Sequence, residues 1–164
     1  MPKNTPRYVK ENILRRHRRQ SEKKKEPPVI AQSGVIPYRV GAAGIELLLV
    51  TSRNGRRWIF PKGIVETGLH PRDSAAKEAW EEAGVLGAVT EEALGSYSFE
   101  KWGGICHVDM YALLVQGVAE EYDERAIRQR RWVSLDEARA SIAERGLLDL
   151  LEVFAEQIRE LHHE

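Results

Sequence analysis

Three glutamates crowded into the last turns of one short helix constrain this chain more than any other feature. Residues 72–83 carry alanines at 75, 76, 79 and 83, which recur at helical spacing, and Gly84 stands where a left-handed cap ends a helix. Each residue of an α-helix turns by about 100°, so Glu82 lies about 40° to one side of Glu78 and Glu81 about 60° to the other. Three carboxylates thus share an arc of roughly 100°. Like charges at these spacings repel by about 0.2–0.5 kcal/mol per pair, and the helix dipole disfavours anions at this end. Lys77 is the near cation and is angled off the centre of the arc. Taken alone, such an acidic run is most simply a solvated face. The sharper reading is a site for a hard cation, Mg2+ or Mn2+, whose charge offsets the repulsion and whose preferred ligands are oxygens.

The segment before the helix favours the second reading. Gly63 and Gly68 bracket a short loop with Glu66 between them, and a glycine lets the backbone approach a ligand and present a carbonyl or amide. Pro71 and Asp73 are ordinary helix-start residues. Lys62 precedes the loop, and Arg53, Arg56 and Arg57 precede Trp58. Each could meet a phosphate, although any one of them alone reads as a surface charge.

Around this stretch the chain alternates strands and helices. Val29–Val40 and Ile45–Ser52 read as strands joined by a four-residue loop over Gly41–Gly44, and Trp58–Phe60 reads as a short strand. Tyr97–Phe99 and Ile105–Val115 flank a turn at Trp102-Gly103-Gly104, and Arg130–Val133 is another short strand. Ser134 with Glu137 three residues on is a capping-box start for a further helix. Leu147, Leu150, Leu151, Phe154, Ile158 and Leu161 make one stripe of an amphipathic helix that reads as core packing. Cys106, Val108, Met110 and Ala112 share a core face of their strand. His107, Asp109 and Tyr111 share the other, for which packing is the expected role and the wall of a cleft the alternative. Helices interspersed among central strands predict an α/β (α+β) domain, an α/β/α sandwich with a mixed sheet covered on both faces.

Gly63–Val85 resembles the Nudix box, G-x5-E-x7-R-E-U-x-E-E-x-G-U with U aliphatic. Gly63, Glu78, Ala79, Glu81, Glu82, Gly84 and Val85 match it, and the surrounding elements extend the likeness from Val29 to the C-terminus. Two positions depart: Leu69 replaces the first glutamate and Lys77 the arginine, the pair associated in the family with holding the loop against the helix. Glu66 is the candidate substitute partner for Lys77. The resemblance implies that Glu78, Glu81 and Glu82, with the Gly63 carbonyl, coordinate Mg2+ or Mn2+, and that Glu81 or Glu82 positions or deprotonates the attacking water. It implies a pyrophosphohydrolase. The Pro61-Lys62-Gly63 run after Trp58-Ile59-Phe60 looks like the branch that handles diadenosine polyphosphates and diphosphoinositol polyphosphates, with Lys62, Arg53 and Arg57 meeting a phosphate-rich substrate. The two departures keep open a catalytically degenerate binding or regulatory module on the same fold.

Charge divides the chain. Residues 1–28 hold ten lysines and arginines against three glutamates, a net of +7, so the neutral whole leaves −7 on residues 29–164. The arm ends at Pro27-Pro28 and reads as a flexible tail ahead of one Nudix domain at 29–164. Such an arm could also contact nucleic acid, which makes an RNA 5′ end the alternative substrate; binding would then weaken steeply with salt. Glu120, Glu121, Asp123 and Glu124 read as a solvated run, with Glu124 as a possible extra metal ligand. One cysteine, Cys106, excludes a disulfide within the chain. No apolar run reaches the roughly 18 residues needed to span a bilayer, and no apolar region of a secretory signal follows the basic start. The expectation is a cytoplasmic protein with no membrane partner.

Overall fold

The computed structural model describes residues 26–162, so the basic arm lies almost wholly outside the described residues. Among the described residues, eight strands form one mixed sheet. At its centre β1 (Val29–Gly41) runs parallel to β7 (Gly104–Val118), with Val29 opposite Ile105 and Tyr38 opposite Leu114. The first half of β1 pairs antiparallel with β4 (Lys62–Ile64), and its second half pairs with β2 (Gly44–Thr51), which also pairs with β3 (Trp58–Ile59) and β8 (Arg130–Ser134). On its other side β7 pairs with β6 (Gly95–Lys101) and then with β5 (Val85–Val89).

Period-two alternation distributes two cores to the two faces. Ile36, Leu47, Leu49, Val108 and Met110 point to the face covered by α2 (Leu135–Ser141) and α3 (Arg145–Leu161), where they meet Leu147, Leu150, Leu151 and Phe154. Val35, Leu48, Val50, Tyr111 and Leu113 point to the opposite face, which α1 (Pro71–Ala83) covers with Ala75, Ala79 and Ala83. This is the expected sandwich of helices around a mixed sheet. Among the described residues no helix is long and apolar enough to cross a membrane.

Several elements differ from the sequence reading. The β1–β2 hairpin turns on two residues, Ala42 and Ala43, because Gly41 and Gly44 pair across it; the expected four-residue loop counted both glycines as turn. Val85–Val89 is a strand for which the sequence pattern carries no expectation. Its alternating burial rests on small residues, Gly87 and Ala88, that carry little hydrophobic signal. The other face of β7 divides: Tyr111 is buried as expected, but His107 and Asp109 are half-exposed, with His107 Nε2 3.4 Å from Asp109 Oδ1. Packing therefore holds for Tyr111 and fails for His107. The β6–β7 turn places Trp102 and Gly103 both in the left-handed region, at φ 54° and 69°. A side chain there costs about 1–2 kcal/mol, yet Trp102 is 60% exposed.

Candidate active site

Helix α1 starts where its sequence says it must. His70 caps it, its Nδ1 accepting from the Arg72 amide at 3.1 Å, and Pro71 occupies the first turn. It stops at Gly84, which adopts φ 65° and donates back to Trp80 O. A side chain at Gly84 would strike the Tyr122 ring. The buried seam of Ala75, Ala79 and Ala83 seats the helix closely on the sheet. Arg72 pins its start to the carbonyls of Val89 and Thr90 at 2.8 and 3.0 Å, and Arg130 pins its end to the Ala83 carbonyl at 2.8 Å.

Close seating presses the carboxylates against β4. Glu82 is 4% exposed; its Oε2 accepts from the Lys62 amide at 3.1 Å and its Oε1 from Arg128 at 3.2 Å. Glu78 lies on Gly63 so tightly that a β-carbon there would collide with its carboxyl group. Glu81 is the most peripheral of the three, 3.7 Å from Lys77 Nζ, and its carbonyl accepts from the Glu124 amide at 3.0 Å. Arg128 also reaches Glu124 at 3.5 Å and the Thr51 carbonyl at 2.8 Å, so it ties the loop after β7 to the helix end and to β2. Ser74 holds the loop before the helix, its Oγ accepting from the Glu66 amide at 3.3 Å.

The electrostatics follow from this crowding. Burial, and then the charges of Glu81, Glu124 and Glu66, raise the Glu78 carboxyl to about 7. Burial raises Glu82 to about 8 despite the opposing Arg128. Both groups are thus short of positive charge. The side-chain donors at this helix end are carboxylate oxygens, which suit a hard divalent cation. Each carboxylate takes a different protein neighbour, and among the described residues no three acidic, histidine or cysteine side chains converge in metal-binding geometry. The donor chemistry therefore fits a divalent ion, with the side chains spread around the helix end rather than clustered on one point.

The remaining predicted residues fall around this centre in different ways. Arg53 is exposed and stands 3.6 Å from Glu124, beside the acidic end. Arg56 and Arg57 are exposed in the same loop. Lys62 divides in two: its amide serves Glu82, but its side chain crosses the other face of the sheet, where Nζ lies 4.7 Å from the Phe99 ring centroid. Burial and nearby Lys101 lower its pKa. Leu69 is partly exposed, and Lys77 pairs with Glu66, the partner proposed from the sequence. Arg128 was not foreseen. It sits 46 residues from Glu82 in a basic run, and nothing local distinguishes it from its neighbours. Glu124 joins the acidic end, while Glu120, Glu121 and Asp123 stay exposed.

A mixed sheet between helices, with a glycine loop meeting a carboxylate-bearing helix end, is matched by the NUDIX domain pattern over residues 32–153, and the chain belongs to the Nudix family. The domain is a hydrolase domain acting on pyrophosphate bonds, in a family whose enzymes generally use divalent metal ions. Among relatives, Nudix hydrolase 4 of Arabidopsis thaliana is 40% identical over 131 residues, 74% of this chain and 63% of the plant protein. The chain thus spans less than two thirds of that relative's length. Diphosphoinositol polyphosphate phosphohydrolase 2 of Rattus norvegicus is 34% identical over 94 residues, 56% of this chain and 51% of that protein. The crystal structure of a C. elegans Ap4A hydrolase superposes with a TM-score of 0.65 at 23% identity, over 80% of this chain and 99% of the other, a likeness of fold.

Proposed function

We propose that the protein hydrolyses a phosphoanhydride bond in a small substrate dense in phosphate, of the diadenosine polyphosphate or diphosphoinositol polyphosphate type, with Mg2+ or Mn2+ as cofactor. The observation that carries this is the seating of Glu78 on Gly63 while Glu82 accepts from the neighbouring amide, Lys62, which sets two carboxylates against the glycine loop at one helix end. Glu78, Glu81 and Glu82 with the Gly63 carbonyl would hold the ion. When bound, it would neutralise phosphate charge and acidify water. Glu81 or Glu82 would orient that water and take its proton as the new oxygen–phosphorus bond forms. The anhydride oxygen would depart with the leaving phosphate. Arg128 would keep the Glu82 carboxylate in place, and Arg53, Arg57 and Lys62 would supply the field that draws in a polyanion. The named substrates of the rat and worm relatives support the choice of class.

A panel of diadenosine tetraphosphate, diphosphoinositol pentakisphosphate, ADP-ribose and a nucleoside triphosphate, each assayed with Mg2+ for kcat/KM, tests the reading. The first two are expected to exceed the others by about tenfold or more, a difference of about 1.4 kcal/mol in transition-state binding. A preference for ADP-ribose or the triphosphate would overturn the substrate class. No turnover on any of them, with the protein folded, would favour a binding module.

A further inference from the structure

Two polar groups beside the glycine loop lack partners, and they are neighbours. Ser33 of β1 is fully buried, and among the described residues its Oγ makes no hydrogen bond. The second group is the Glu78 carboxyl. Glu82 accepts from the Lys62 amide and from Arg128, and Glu81 stands 3.7 Å from Lys77 Nζ. Glu78, half-buried, has no hydrogen-bond donor of its own among the described residues.

Register sets the two side by side. Ser33 stands opposite Gly63 in the antiparallel β1–β4 pair, and opposed β-carbon positions on one face of such a pair are about 4.5–5.5 Å apart. The place that a β-carbon would take at Gly63 is filled by the Glu78 carboxyl group. Ser33 points to that same face. Val35, two residues on and so on the same side of β1, belongs to the core beneath α1 with Ala75 and Ala79. On its other side Ser33 is in register with Asp109 of β7, whose carboxylate already has a neighbour in His107 Nε2 at 3.4 Å.

We propose that Ser33 is a positioning residue of the ion site: its Oγ–H donates to one oxygen of the Glu78 carboxylate and so turns the other toward the ion. The inference rests on the reading of this helix end as a divalent-ion site. A carboxylate that ligates through one oxygen needs a donor for the second where water is excluded, and such supporting hydrogen bonds fix the direction of a ligand. A buried hydroxyl without a bond costs stability in the ion-free protein. Serine at this position is accounted for by a bond that it makes when the site is filled.

The test is Mn2+ titration of the full-length protein followed by electron paramagnetic resonance, with thermal unfolding in EDTA measured on the same samples. Wild-type binding that Glu78→Gln weakens establishes the site. Ser33→Ala should then bind Mn2+ about tenfold more weakly. Its Tm in EDTA should equal or exceed that of wild type, because an unpartnered buried hydroxyl has been removed. Ser33→Thr, which keeps the hydroxyl, should recover most of the affinity, and Asp109→Asn should leave it unchanged. Equal affinity in Ser33→Ala and wild type would overturn the proposal. So would a loss in Asp109→Asn as large as that in Ser33→Ala, which would assign the hydroxyl to Asp109. A Tm in EDTA that drops by many degrees in Ser33→Ala would assign Ser33 to packing and overturn it as well. Wild-type binding that is absent, or that Glu78→Gln leaves unchanged, would instead overturn the ion reading beneath it.

Discussion

The two faces of the sheet are built from different materials, and each material suits a different task. On the α3 face Leu147, Leu150, Leu151 and Phe154 fill a broad core against Ile36, Leu47 and Leu49. On the α1 face the helix contributes only alanines, and polar anchors from Arg72 and Arg130 do much of the holding. Large side chains contribute stability in proportion to the apolar area that they bury. Small ones contribute little area but let a helix approach, and that approach strips water from the glutamates at its end. The stable face can tolerate an imprecise helix position; the functional face cannot.

This contrast can be broken by moving each face separately. Phe154→Ala should cost about 3–5 kcal/mol of stability and leave divalent-ion affinity intact, as read by denaturant unfolding and by titration calorimetry. If ion affinity falls in step with stability, the faces are not separable. Arg128→Leu removes a guanidinium that is 7% exposed and should cost about 1–3 kcal/mol. Here turnover should fall by more than the loss of folded protein explains, because Glu82 loses its support. Gly63→Ala pushes the Glu78 carboxyl away and should lower ion affinity about 10- to 100-fold with little change in unfolding midpoint. An unfolding midpoint that drops by many degrees would mean that Gly63 serves the fold.

The smallest effect concerns pH. In the metal-free protein Glu78 and Glu82 titrate at about 7 and about 8, above the ordinary 4.5. The folded state therefore binds more protons than the unfolded one between pH 4.5 and 8, and stability contributed by these groups falls as pH rises through that window. In EDTA the Tm should be lower at pH 8.5 than at pH 5.5, and saturating Mg2+ should narrow the gap. A Tm that rises with pH in EDTA would contradict the crowding of these carboxylates.

What the sequence made legible were the parts governed by local chemistry. Helix α1 runs from Pro71 to Ala83 with the Gly84 cap, the Ser134–Glu137 capping box forms, and the stripe that starts at Leu147 is buried as far as Ile158, while its last member, Leu161, is exposed at the helix end. The approach of Glu66 to Lys77 was also readable, since both belong to one short loop–helix unit. The partners that tertiary folding supplies were not. Arg128 reaches Glu82 across 46 residues, the Lys62 side chain leaves for the far face while its amide stays, and β5 hides in glycine and alanine. The helical arc placed three carboxylates on one side, but the separate neighbours each one takes depend on strands that the arc cannot see.

The central claim is that the carboxylate end of α1 binds a divalent ion and that hydrolysis depends on it. Mn2+ binding followed by electron paramagnetic resonance, in parallel with turnover of diadenosine tetraphosphate, tests it in one comparison of wild type with Glu78→Gln and Glu82→Gln. The account predicts that both variants keep a cooperative unfolding transition while ion binding weakens sharply and turnover falls by about 10²–10³. Turnover at the wild-type rate in either variant, or Mn2+ bound as tightly as in wild type, would contradict it.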